Sequence, residues 1–201
     1  MSFSMKKKRK KKSHKKGRGG KLLFLLVIMG IGFSILYLFR QEISDSIKPW
    51  FEERGILREK KGILLYFSDS EGKYLIGEKR EILKRDEVEE EAEETINELI
   101  KGPKGKLIPT LPRQTKLLDL ELGEGGVVKV NFNKALSKDH PGGSSAEMMT
   151  LYSVVNSLTL NFHQIKRVQI LIEGKAVETI AGHLSLKKPI SPDPNLIRTP
   201  K

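Results

Sequence analysis

The chain has 201 residues, 37 Lys+Arg against 25 Asp+Glu, a formal net charge of +12 and no Cys. Twelve of the cations and none of the acids lie in residues 1–40, so residues 41–201 carry 25 of each sign and are neutral. Charge loaded at one end reads as a tail and argues against a nucleic-acid-binding domain, and the lack of Cys excludes disulfides, Cys-ligated zinc, thiol nucleophiles and a lipid-modified Cys.

Lys6–Lys12 is an unbroken run of seven cations, continued by Lys15, Lys16, Arg18 and Lys21. With no apolar surface to bury, residues 1–21 are expected to form a disordered basic tail. Leu22–Phe39 follows without a charge. As a helix it spans about 27 Å, close to a hydrocarbon core of about 30 Å. Lys21 and Arg40 can snorkel to close the gap, and Tyr37 and Phe39 fall where interfacial aromatics are expected. The run is longer than a signal-peptide core, and Leu36–Gln41 offers no small-x-small cleavage site. Residues 22–39 are therefore expected to be an uncleaved transmembrane helix in the cell membrane. The preceding cations orient it with the N-terminus cytoplasmic and the C-terminal domain extracytoplasmic, and they would also attract anionic lipid. Residues 40–61, with Pro49, Trp50 and Phe51, read as a juxtamembrane stalk.

From Gly62 the pattern becomes that of a folded domain. Ile63–Phe67 and Tyr74–Leu83 are strand candidates around a turn-like Ser68–Gly72. Asp86-xx-Glu89 has capping-box form and opens a helix whose apolar positions are Val88, Ala92, Thr95, Ile96, Leu99 and Ile100; Gly102-Pro103 stops it. Its Glu87–Glu94 run reads as a solvated face or an acidic docking surface. Leu118, Leu120 and Leu122 alternate with acids, Gly123–Gly126 turns, and Val128, Val130 and Phe132 alternate on the return. Ser144-xx-Glu147 is a second capping-box pattern, and Met148, Leu151, Tyr152, Val155, Leu158 and Phe162 form one apolar helical face. Arg167–Glu173 is a strand, followed by a turn and a short Ala176–Ile180 run. Residues 191–201, with three prolines, read as a flexible end. The order β-β-α-β-β-α-β predicts an α+β fold with two helices packed on one face of a mixed sheet, over residues 62–190.

A search for chemistry finds little. His140, His163 and His183 are isolated, without metal-ligand spacing. Asp139, His140, Ser144 and Ser145 contain triad letters but no nucleophile elbow. Gly123-Glu124-Gly125-Gly126 fits neither a phosphate loop nor a dinucleotide loop. No catalytic, cofactor-binding or metal-ligating residue is assigned, and the expectation is a non-enzymatic binding module with no cofactor. A peptidoglycan-associated enzyme or accessory stays open, with the Gly-rich loop before the second helix and His183 as its candidate parts.

Five blocks in order resemble a known family. They are Ile96–Pro103, Leu107–Leu118, Gly126–Phe132, Ser153–Thr159, and Val168–Gly174 with Gly182–Leu186. Residues 63–190 thus resemble the GerMN domain of sporulation and spore germination proteins. The resemblance implies an extracytoplasmic, non-enzymatic domain like the ring-building domains of secretion and sporulation channels, with their α-β-β-α-β core. It implies partners among envelope or sporulation proteins; the anchor implies the lipid bilayer, the neutral domain implies no nucleic acid, and a homo-oligomer, as in a ring-forming subunit, is left open. Some members carry a lipid-modified Cys or tandem copies, whereas this chain has one copy and Leu22–Phe39 in place of the Cys.

Overall fold

The computed structural model describes residues 18–38 and 59–199, which fall into two compact units divided after Leu57. Most of the basic tail and nearly all of the expected stalk, Trp50 and Phe51 included, lie outside the described residues.

The first unit contributes helix α1, Arg18–Leu38. It starts four residues before the uncharged run, because its first turn tolerates the polar Arg18–Lys21 stretch. Phe24, Met29, Phe33 and Leu38 are each about two-thirds exposed or more. Among the described residues no helix is long and apolar enough to cross a membrane. The span expected over Leu22–Phe39 therefore rests on the sequence.

The second unit has the expected order, with additions. Strands β1 (Lys60–Ser68) and β2 (Leu75–Leu83) precede helix α2 (Val88–Ile100). Strands β3 (Leu117–Leu122) and β4 (Val127–Phe132) precede a one-turn helix α3 (Ala135–Lys138) and the long helix α4 (Ser144–Thr159). Strand β5 (Arg167–Ile172) follows, then the two-residue strands β6 (Lys175–Ala176) and β7 (Ile197–Arg198).

The α+β class holds, but the strands form two sheets and not one mixed sheet. One has the order β1-β2-β7, the other β3-β4-β5-β6. In the second, β3 and β4 are an antiparallel hairpin, and β4 pairs in parallel with β5 after the α4 crossover. Helix α2 packs on β1, β2 and β3, and α4 packs on β1 and β5, so each helix touches both sheets. One core joins all these layers, from Leu65 and Phe67 of β1 through Ile96 of α2 and Leu158 of α4 to Val130, Phe132 and Ile170.

This arrangement corrects the single apolar face expected for α4. Met149, Leu151, Val154, Val155 and Leu158 are buried, and so are Thr150, Ser153, Asn156 and Ser157. A helix covered from two sides is buried nearly all round. Leu118 is a second correction. It is about half exposed, because the β3–β4 register shifts between Leu117 and Asp119, and Leu117 packs on the core in its place. A one-residue irregularity moves a side chain to the other face.

The end expected to be flexible is also seated. Asp193 exchanges two hydrogen bonds with Asn156, at 3.1 and 3.2 Å. Leu196 and Ile197 pack with Tyr66, Leu75 and Met149, and β7 lies parallel to β2 at Leu75 and Ile76. The three prolines shape the path of this segment, and its two apolar residues suffice to dock it.

Candidate interaction surface

The polar side chains singled out in the sequence are mostly spent on holding backbone. Neither capping box forms: α2 and α4 have Glu87 and Gly143 at their N-caps, with no side-chain cap. Glu89 accepts from the Leu122 N–H at 3.2 Å. Glu94 accepts from the Leu83 N–H at 3.2 Å, and buried Glu91 takes the Arg85 N–H and the Lys61 ammonium. Much of the Glu run thus fastens strand ends to α2, which leaves less of it as a docking surface. Burial would raise the Glu91 pKa, but the Lys61 ammonium and Arg85 N–H outweigh it and hold it low.

Glu147 extends this pattern. Its side chain is fully buried and accepts from the N–H groups of Ile180 (2.9 Å), Ala181 (3.0 Å) and His183 (2.8 Å). His183 Nδ1 lies 3.2 Å from the same carboxylate. Burial opposes the charge, yet the N–H donors of Ala181, His183 and Ile180 keep the pKa below the ordinary range. His183 and Glu147 therefore meet, but as a clasp on the 180–184 loop.

The triad letters do not assemble. His140 Nδ1 accepts from the Gly142 N–H, and Nε2 contacts Thr150 Oγ1 at 3.0 Å. Thr150 donates to the Thr110 carbonyl, which makes His140 Nε2 the donor and the ring neutral. Burial pushes its pKa down, in agreement. Ser145 donates to the Gly72 carbonyl at 2.6 Å, and His163 is exposed in the turn after α4. Gly123–Gly126 forms the β3–β4 turn. Among the described residues no group of three His, Cys, Asp or Glu is placed to hold a metal.

Arg80 and Asn161 were not singled out in the sequence. Arg80 is buried on β2, bonded to Glu78 (2.8 Å), Glu98 (3.1 Å) and the Gly102 carbonyl (2.9 Å). Glu78 in turn accepts from the N–H groups of Lys104 and Gly105. This cluster explains the Gly102-Pro103 stop: Gly102 has φ +83° and its carbonyl is held by Arg80. The signal was parity, since Arg80 shares the core-facing phase of β2 with Ile82 across from Ile63. Asn161 donates to the Leu64 carbonyl (2.7 Å) and accepts from its N–H (2.9 Å). Nothing in local spacing marks a contact across that sequence separation.

Among the described residues, two hollows stand out on the surface. One, about 840 Å³, lies on the hairpin face of Lys60, Gly62, Leu64, Lys79 and Glu81, beside Lys104. The other, about 380 Å³, is more apolar and lies between Ile108–Pro112 and the start of α4, at Pro141, Ala146 and Met149.

Comparison with known proteins places the fold. The family model described as sporulation and spore germination matches residues 64–178. The first GerMN domain of the sporulation protein GerM from Bacillus subtilis is similar at 19% identity, with a TM-score of 0.53; 65% of this chain and 97% of that one are covered. The tandem GerMN domains of the same protein match at 20% identity and a TM-score of 0.49, over 67% of this chain and 46% of that one. A crystal structure of a candidate lipoprotein from Clostridium perfringens matches at 27% identity and a TM-score of 0.49, over 69% and 93%. No curated protein matches.

Proposed function

We propose that this chain, which belongs to the GerMN family of sporulation and spore germination domains, is a membrane-anchored interaction module on the outer side of the cell membrane. Its partners in this reading are envelope proteins that act in sporulation or germination. The observation that carries the binding role is how the polar groups are used. Glu78, Arg80, Glu91, Glu147, His140 and Asn161 each fix backbone, while the surface offers a hollow on a strand hairpin and a more apolar hollow between loops. Such surfaces fit extended or looped protein segments.

The anchor rests on the sequence of residues 22–39 and the eleven cations that precede it. Tethering confines the domain to a thin layer and raises its effective concentration toward other envelope proteins. That lets modest contacts suffice.

Deletion of the gene in the organism that encodes it, followed by counts of heat-resistant spores and of germinating spores, tests this function. A defect in either count, restored by the full chain, is expected. Normal counts for both would contradict the proposal.

A further inference from the structure

The β1-β2-β7 sheet has two edges, and they are treated differently. Hydrogen bonds from Asp69 N–H to Tyr74 O and from Lys84 N–H to Glu59 O fix the phase of the β1–β2 ladder. In that phase Lys60, Gly62, Leu64, Tyr66 and Ser68 direct their backbone groups outward from β1. The last three, along most of the strand, are engaged. Asn161 bonds both groups of Leu64, Ser157 accepts from the Tyr66 N–H at 3.1 Å, and Ser68 exchanges two bonds with Ile108. Engaging Leu64 to Ser68 in this way removes that stretch as a template for strand addition.

The β2 edge is closed only at its ends. At one end β7 pairs with Leu75 and Ile76. At the other the Leu83 N–H donates to Glu94. Between them Lys79 and Glu81 direct their N–H and C=O groups outward, and no strand covers them among the described residues. Both side chains are exposed, and they stand on one face, opposite Leu64 and Gly62 of β1. The Glu81 carboxylate has one exposed partner, Lys60 at 3.1 Å.

We propose that this window binds a second copy of the chain, β2 against β2, antiparallel about a two-fold axis at Arg80. The two residues left open, Lys79 and Glu81, flank Arg80. The register centred there sets Lys79 opposite Glu81 of the second copy, and Glu81 opposite its Lys79. Outward-facing residues then meet outward-facing residues, as an antiparallel ladder requires, and the two Lys79–Glu81 pairs exchange four backbone hydrogen bonds. The interface is isologous, so it closes at two copies and does not propagate. Opposite charges directly across the strands favour this register over a parallel one, which would set Lys79 against Lys79. The outcome is a sheet running β1-β2-β2-β1 across the axis, with the hollow beside Lys104 repeated on each side. The inference deepens the interaction role by naming one partner, and it stands on the domain's geometry without the anchor or its orientation.

Sedimentation of the full chain in detergent, with charge reversals, tests it. The chain is expected to form dimers. Lys79→Glu and Glu81→Lys each set like charges across both pairs and are expected to weaken association about tenfold or more. The double variant Lys79→Glu/Glu81→Lys restores opposite charges and is expected to recover dimers. Both positions are exposed, so circular dichroism of all variants, and their urea unfolding at concentrations where each is monomeric, should match the parent. A monomer up to about 1 mM, dimers indifferent to the single reversals, or failure of the double variant to recover would each overturn the pairing.

Discussion

At Glu147 a carboxylate without exposed surface holds three N–H groups of the 180–183 loop. Its folded pKa lies below the ordinary value. The stability it contributes is therefore complete above the unfolded pKa, roughly 4.3, and is lost as pH falls through the folded value. Glu147→Gln keeps one acceptor and turns an amide toward N–H donors. It is expected to cost about 2–3 kcal/mol at pH 7. Urea unfolding at pH 7 and again well below the unfolded pKa, toward the folded value, checks this: the gap between variant and parent should shrink at the lower pH. An equal gap at both would show that the carboxylate's charge is not what fastens the loop. Glu78, Glu91 and Glu98 are held low in the same manner, so the variant retains part of the acid sensitivity. In the sequence Glu147 read as half of a capping box. Spacing shows that a Glu stands one turn into a helix, but the loop whose backbone claims it lies more than thirty residues on.

Among the elements, the β3–β4 hairpin and the start of β5 meet at one glycine. Gly126 has φ +73°, and a Cβ there would lie 2.6 Å from the Gln164 carbonyl and 2.8 Å from Lys166 Cγ. The Lys166 N–H donates to the Gly126 carbonyl at 2.7 Å, which starts the parallel β4–β5 ladder. Gly125 has a similar φ of +69° with open space around it. Gly125→Ala is expected to cost about 1 kcal/mol, from the left-handed backbone alone. Gly126→Ala adds a backbone clash and is expected to cost about 3 kcal/mol or more. Thermal unfolding of the two variants separates them, and equal losses would remove the close-approach argument. The elements themselves were legible: the order from Ile63, the hairpins, the Gly-Pro stop and most core positions follow from periodicity and turn residues. What was not legible was the number of layers. Apolar alternation tells which side of a strand is buried but not which layer buries it. The polar Ser153, Asn156 and Ser157 hid the second covered face of α4, because each is satisfied by a partner distant in sequence or by a neighbouring turn. Ile197 alone gave no sign of a strand that pairs with Leu75.

For the whole molecule, the bulk charge of +12 describes its first forty residues, and the domain beyond them is neutral. A cationic end followed by an uncharged helical run is the arrangement that orients a single span with its cations in the cytoplasm. The family match covers the domain and not this run, so the placement of the domain on the outer side is the claim on which the interaction role depends. Protease added to intact cells stripped of their wall measures it directly. Residues 59–199 are expected to be digested, and a membrane-bound fragment carrying the Lys6–Lys12 run is expected to survive. A full-length chain protected from protease until the membrane is dissolved would contradict it.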